Sequence, residues 1–146
     1  MSDDRAEPPP GRVTAAGVLV SNRQGRQVDE QGLAALAGRV LQAEGAEGQE
    51  LSLSFVTAEE MANLHQRYMG EEGPTDVLSF PMGEEGLLGD VVVCPEEAER
   101  NNPDLGSELR LLVTHGVLHL LGYDHQKERD RLEMWAKQDA YAGANP

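Results

Sequence analysis

At 146 residues the chain is long enough for one hydrophobic core and too short for two domains. Twelve Lys and Arg stand against 26 Asp and Glu, a formal net charge of −14. That balance opposes a broad basic grip on a nucleic-acid backbone, although the field inside a cleft can differ in sign from that of the whole surface. One cysteine, Cys94, excludes an internal disulfide framework, and no apolar run approaches the ~20 residues that span a bilayer.

Residues 1–12 are rich in proline and charge, lack the basic and apolar regions of a signal peptide, and read as a disordered tail of a cytoplasmic protein. One domain is expected over 13–141 and a second disordered tail over 142–146. Val13 to Val20 reads weakly as a first strand, closed by a turn at Ser21-Asn-Arg-Gln-Gly25. From Asp29 to Glu44, Leu33, Leu36, Val40 and Leu41 recur at helical spacing, and Gly45 and Gly48 break the pattern. Leu51, Leu53 and Phe55 alternate with Ser52 and Ser54, the period of a strand with one buried face. Thr57-Ala-Glu-Glu60 is a capping box for a helix running to about Tyr68.

After the Gly70–Pro74 loop, Thr75 to Phe80 is a short strand candidate and Gly89 to Cys94 a buried one, with Cys94 a small buried residue at its end. A helix starts at Pro95 and reaches about Asn101; Ser107 caps a long helix ending at Gly122; a last helix covers Gln126 to about Tyr141. The fold class expected is α/β (α+β), a small mixed four-stranded sheet packed with about five helices, the histidine-bearing helix buried against the sheet.

That helix carries His115-Gly-Val-Leu-His119-Leu-Leu-Gly122-Tyr-Asp-His125. His115 and His119 lie one turn apart on one face, Gly122 can turn the chain in a left-handed conformation, and His125 can swing back toward the pair. Buried imidazoles with no partner are costly, so packing alone explains this spacing poorly. Three histidine ligands with an open fourth position are how a catalytic zinc is held. The spacing matches that of metzincin proteases, in which a glutamate after the first histidine is the general base; here Gly116 stands in its place and cannot take a proton.

Pro74-Thr-Asp-Val-Leu-Ser-Phe-Pro81, Leu88-Gly-Asp-Val-Val-Val93 and the histidine motif resemble, in order and distance, three signatures of the YbeY endoribonucleases, bacterial ribosomal-RNA maturation factors. The resemblance spans about Val13 to Tyr141. It implies a zinc-dependent, single-strand-specific endoribonuclease that trims the 3′ end of small-subunit ribosomal RNA and takes part in ribosome quality control. It also implies one zinc per chain on His115, His119 and His125. Ribosomal RNA and the small subunit or its assembly proteins are the partners expected, with no membrane and no DNA. Many members carry an arginine directly after the tyrosine that precedes the Pro-Thr-Asp segment. Here Met69 follows Tyr68, and the neighbouring Arg67 is in a different register.

No general base sits in the histidine motif. Asp76 and Asp90 are candidates, and equally readable as turn or capping residues. Asp124 could orient a ligand imidazole or cap the last helix. Ser79 and Thr75 could bind phosphate or bridge strands. His65 reads as solvent-facing, and Met134 and Trp135 as core anchors rather than a base-stacking platform. Lys127, Arg129, Arg131 and Lys137 form the one basic cluster, just after the third histidine. Two other classes remain open: a metal-dependent hydrolase of another substrate, which Gly116 disfavours for peptides, and a ribosome assembly protein in which zinc is structural.

Overall fold

The computed structural model describes residues 12–13, 17–84, 86–123 and 128–143. Its centre is β3 (Glu50–Phe55), where the Leu-Ser-Leu-Ser-Phe alternation buries Leu51, Leu53 and Phe55 on one face and leaves Ser52 and Ser54 on the other. β2 (Val18–Asn22) runs parallel to β3 on one side and β5 (Leu87–Val93) parallel on the other. β1 (Arg12–Val13) adds antiparallel to β2, and β4 (Val77–Glu84) antiparallel to β5, giving the order β1-β2-β3-β5-β4. The mixed sheet expected from the sequence is therefore present, with the two-residue β1 as an extra edge.

Parallel pairing of β2 and β3 needs a crossover, which α1 (Glu30–Ala43) supplies. α2 (Ala58–Met69) follows β3, α3 (Pro95–Asn101) follows β5, and α4 (Leu105–Leu120) and α5 (Glu128–Ala142) complete the chain. The main core lies on the face where Val18, Val20, Leu53, Val91 and Val93 meet α1, α4 and Met134 of α5. Each such side chain, fully buried, contributes about 1.5–3 kcal/mol. A smaller cluster of Val56, Met61, Leu78, Val92 and Cys94 lies on the other face, where Met61 and Leu64 bring in α2. The buried Cys94 fits its reading as a strand-end packing residue.

Three boundaries differ from the sequence reading. The stretch from Val13 to Val20 is not one strand: Gly17, at φ +81°, precedes β2, and Val13 pairs back on Leu19. β4 continues past Phe80 through Pro81, which is tolerated because β4 is an edge strand. Ser107 is not the cap of α4. Asp104 is, its carboxylate accepting from Ser107 N at 3.3 Å and Ser107 Oγ at 2.8 Å. An anionic cap also opposes the positive end of the helix dipole, and the Ser107 hydroxyl holds the Asp104 carboxyl below its ordinary value.

Candidate metal centre

α4 can lie directly on the sheet because position 116 has no side chain. A Cβ there would stand 2.5 Å from Val91 Cγ1 and 3.3 Å from Ser79 Oγ. Ser79 donates to the Gly116 carbonyl at 3.1 Å, so this hydroxyl ties β4 to α4 rather than offering itself to phosphate. The glycine read as a missing base is thus a packing position with no room for a carboxylate. Gly89 plays the same part at the other end of the contact, where a Cβ would run into the Phe80 carbonyl and Leu120.

With Gly116 against the sheet, His115 and His119 emerge beside it, both half-buried. Their rings are 10° from parallel with centroids 6.3 Å apart. From α5, the buried Gln138, 8% exposed, brings Oε1 to 2.6 Å from His115 Nδ1. An amide oxygen only accepts, so this contact is made by the tautomer that carries its proton on Nδ1. That is how a metal-binding histidine is usually oriented. Nitrogen donors one turn apart, one with its tautomer fixed by a neutral acceptor, fit a divalent ion such as zinc.

The end of α4 is built to turn sharply. Gly122, at φ +106°, donates to the His119 carbonyl at 3.0 Å, and Tyr123 N donates to the Leu118 carbonyl at 3.2 Å. These two bonds form the Schellman arrangement that glycine makes possible. His125 and Asp124 lie outside the described residues.

Tyr123 is then held by a residue far away in sequence. Glu44, the C-cap of α1 with a side chain only 9% exposed, accepts from Tyr123 Oη at 2.8 Å, Lys137 Nζ at 2.8 Å and Tyr141 Oη at 2.6 Å. Burial alone would push this carboxyl up, but the bonds from Lys137, Tyr141 and Tyr123 outweigh it and hold it below its ordinary value. One carboxylate therefore joins α1, the turn after α4, and α5.

The remaining residues singled out from the sequence are placed elsewhere. Asp90 accepts from Ser52 Oγ and shares the sheet face of Val92, opposite α4. Asp76 accepts from Asn101 Nδ2 at 2.9 Å, and Asn101 also reaches Glu108 in the first turns of α4, roughly 10 Å along the helix from His115. Thr75 Oγ1 lies 3.4 Å from Asp76 Oδ1. Arg67 is exposed on the last turn of α2 with its guanidinium 6.0 Å from the Tyr68 ring, and Met69 is exposed beside it. His65 is not solvent-facing. Its Nδ1 is 2.8 Å from the Gly73 carbonyl and its Nε2 2.9 Å from Glu71, so it pins the loop before β4.

In the basic cluster, Lys137 is engaged by Glu44 and Arg131 lies against Trp135. Lys127 and the side chain of Arg129 lie outside the described residues. Met134 is fully buried as expected, whereas Trp135 is 53% exposed and not a core anchor. Gln138 and Glu44 were missed by the sequence reading. Gln138 carried a usable signal, a polar residue at the i+4 position from Met134 on the buried stripe of α5. Glu44 carried none, being one acidic residue at a helix end.

A family model described as Endoribonuclease YbeY matches residues 19–144. The Endoribonuclease YbeY of Thermobifida fusca is 46% identical over 136 residues, covering 82% of this chain and 88% of the relative. That of Streptomyces coelicolor is 41% identical over 140 residues, covering 83% and 85%. A solution structure of a Thermotoga maritima protein aligns over 86% of each chain with a TM-score of 0.59 and 31% identity.

Proposed function

The chain belongs to the YbeY endoribonuclease family, and we propose that it is a zinc-dependent, single-strand-specific endoribonuclease acting in maturation of the 3′ end of small-subunit ribosomal RNA and in ribosome quality control. The observation that carries this reading is the pair His115 and His119, side by side one turn apart, with Gln138 Oε1 2.6 Å from His115 Nδ1 to orient the first ring. His115, His119 and His125 would hold one zinc per chain. When bound by three neutral imidazoles, zinc lowers the pKa of a coordinated water toward ~7 and polarises a phosphoryl oxygen.

The chain's own residues do the positioning. Gln138 holds the His115 ring against rotation. Gly116 and Ser79 fix the depth and angle of α4 on the sheet. Glu44 fixes Tyr123, two residues before His125, and α5, which begins three residues after it. Asp124 remains the proposed acceptor for the His125 ring. Asp76 and Asp90 are engaged by Asn101 and Ser52 and are weak choices for a base. The proposed partners are single-stranded ribosomal RNA and the small subunit or its assembly proteins, in the cytoplasm. No described helix is long and apolar enough to cross a membrane.

The test is cleavage of a single-stranded oligoribonucleotide by the purified protein, with zinc content measured in parallel. Cleavage is expected to stop on chelation, to return with zinc, and to be lost in a His119→Ala variant that remains folded. Cleavage that survives both chelation and that substitution would overturn the metal-centred reading.

A further inference from the structure

α5 has two working flanks. One, through Lys137 and Tyr141, meets Glu44. The other is the stripe Arg131, Trp135, Gln138, spaced i, i+4, i+7 and so lined up along one side of the helix. Its Gln138 end touches His115. One turn away stands Trp135, 53% exposed, with the Arg131 guanidinium carbon 5.3 Å from its ring centroid. A large rigid ring left in water beside a candidate catalytic centre suits a planar ligand that can stack on it.

We propose that Trp135 is a stacking platform for one base of the single-stranded RNA. The inference rests on the endoribonuclease reading and names the part of the substrate that this flank takes. Residues three apart on a helix have Cβ atoms about 5–6 Å apart. Adding the reach of Gln138 and its 2.6 Å contact, the Trp135 Cβ lies on the order of 10 Å from the His115 ring, a distance that a few nucleotides of single strand span.

The charge balance favours this mode of binding. A chain of net charge −14 has little with which to neutralise a row of phosphates, and Lys137 is already engaged by Glu44. Stacking on an aromatic face needs no net charge and is tolerant of sequence. It also selects single strands, because the faces of a duplexed base are covered by its neighbours and must be unstacked first.

Trp135 is the only tryptophan in the chain, so its fluorescence reports the event directly. The probe is a short single-stranded 2′-O-methyl phosphorothioate oligoribonucleotide, its integrity checked by electrophoresis after the titration, added to the intact zinc-loaded protein, with its fully paired duplex as control. Labelled-oligonucleotide anisotropy measures binding independently. The single strand is expected to quench Trp135 and the duplex to leave it bright. Trp135→Ala is expected to weaken binding by roughly 5- to 100-fold, Trp135→Phe to retain most of it, and Leu132→Ala, a neighbouring exposed residue, to change nothing. Binding seen by anisotropy with no quench, or a folded Trp135→Ala that binds like wild type, would overturn the platform. Zinc-dependent cleavage accompanied by an unquenched Trp135 sinks the platform alone. Quenching by the single strand in a protein that never cleaves RNA supports the platform and sinks the catalytic reading instead.

Discussion

Replacing Glu44 is the most direct test of how the candidate centre is held. In Glu44→Ala, Lys137 and the hydroxyls of Tyr123 and Tyr141 lose one shared acceptor. Breaking a buried ion pair from one side costs about 3–5 kcal/mol. Lys137 is 30% exposed and can turn partly to water, so the lower end, about 3 kcal/mol, is expected. For a chain of 146 residues that corresponds to a fall in Tm of about 10 °C. Glu44→Gln keeps the volume and an accepting oxygen but loses the charge, and should cost about 1–2 kcal/mol.

The pH dependence has a definite sign. The folded Glu44 carboxyl is held below its ordinary value, so its contribution is present above the ordinary carboxylate range and is lost as pH falls through the folded value. The hydrogen bond to Glu44 raises Lys137. Burial and then Glu44 raise Tyr123, while the bond to Glu44 and then burial raise Tyr141. Those contributions are complete below the ordinary values of these groups, near ~10, and are lost as pH rises through the folded values. The Tm gap between wild type and Glu44→Gln should therefore be flat from about pH 5 to 9 and close at more acid pH. Thermal unfolding followed by circular dichroism from pH 3 upward measures it. A Glu44→Ala variant within 1 °C of wild type at neutral pH would refute the reasoning, as would a gap that persists undiminished at pH 3.

Gly116→Ala should destabilise by about 1–3 kcal/mol through its clash with Val91, and Val91→Ala in the same chain should restore part of the loss; denaturant melts of both variants check this. Gly116→Glu should fail by the same route, with loss of folded protein rather than a change of chemistry. Gln138→Leu should lower zinc affinity by about 10–100-fold with little change in fold, read by competition with a chromogenic chelator; unchanged affinity would mean that the bond to His115 does not orient a ligand. RNA binding should weaken only gently with added salt, since the chain has 12 Lys and Arg against 26 Asp and Glu, and a steep slope in a salt titration would reveal a basic surface that the charge balance does not suggest.

The legible part of the fold was the part written in local patterns. The alternation in Leu51 to Phe55 gave β3, and the spacing of Leu33, Leu36, Val40 and Leu41 gave α1 with Asp29 and Glu44 as its flanking caps. The capping box at Thr57 gave α2, its hydroxyl accepting from Glu60 N at 3.1 Å. Strand order was not legible, because pairing is decided by which faces can be buried together and not by any one segment. Asp104 was overlooked in favour of Ser107 for a related reason. Both residue types cap helices, and the choice depends on where Leu105 can begin to pack.

At the site the motif showed which histidines could converge and nothing about what would hold them. A polar side chain on the buried face of a helix is the one local sign that such a support exists, and Gln138 on the stripe of Met134 is that sign. Gly116 shows the opposite hazard. Compared with a protease motif it reads as a lost catalytic base, a statement about chemistry. Against Val91 and Ser79 it is a steric requirement, a statement about how close α4 must come to the sheet. The two readings make different demands on evolution. A lost base could be regained by one substitution, whereas a contact with no space for a Cβ closes position 116 to every side chain. A proton acceptor for this centre therefore has to come from another element or from the substrate itself, and the search for it belongs on the flanks of α4 that face α5 and the turn at Gly122.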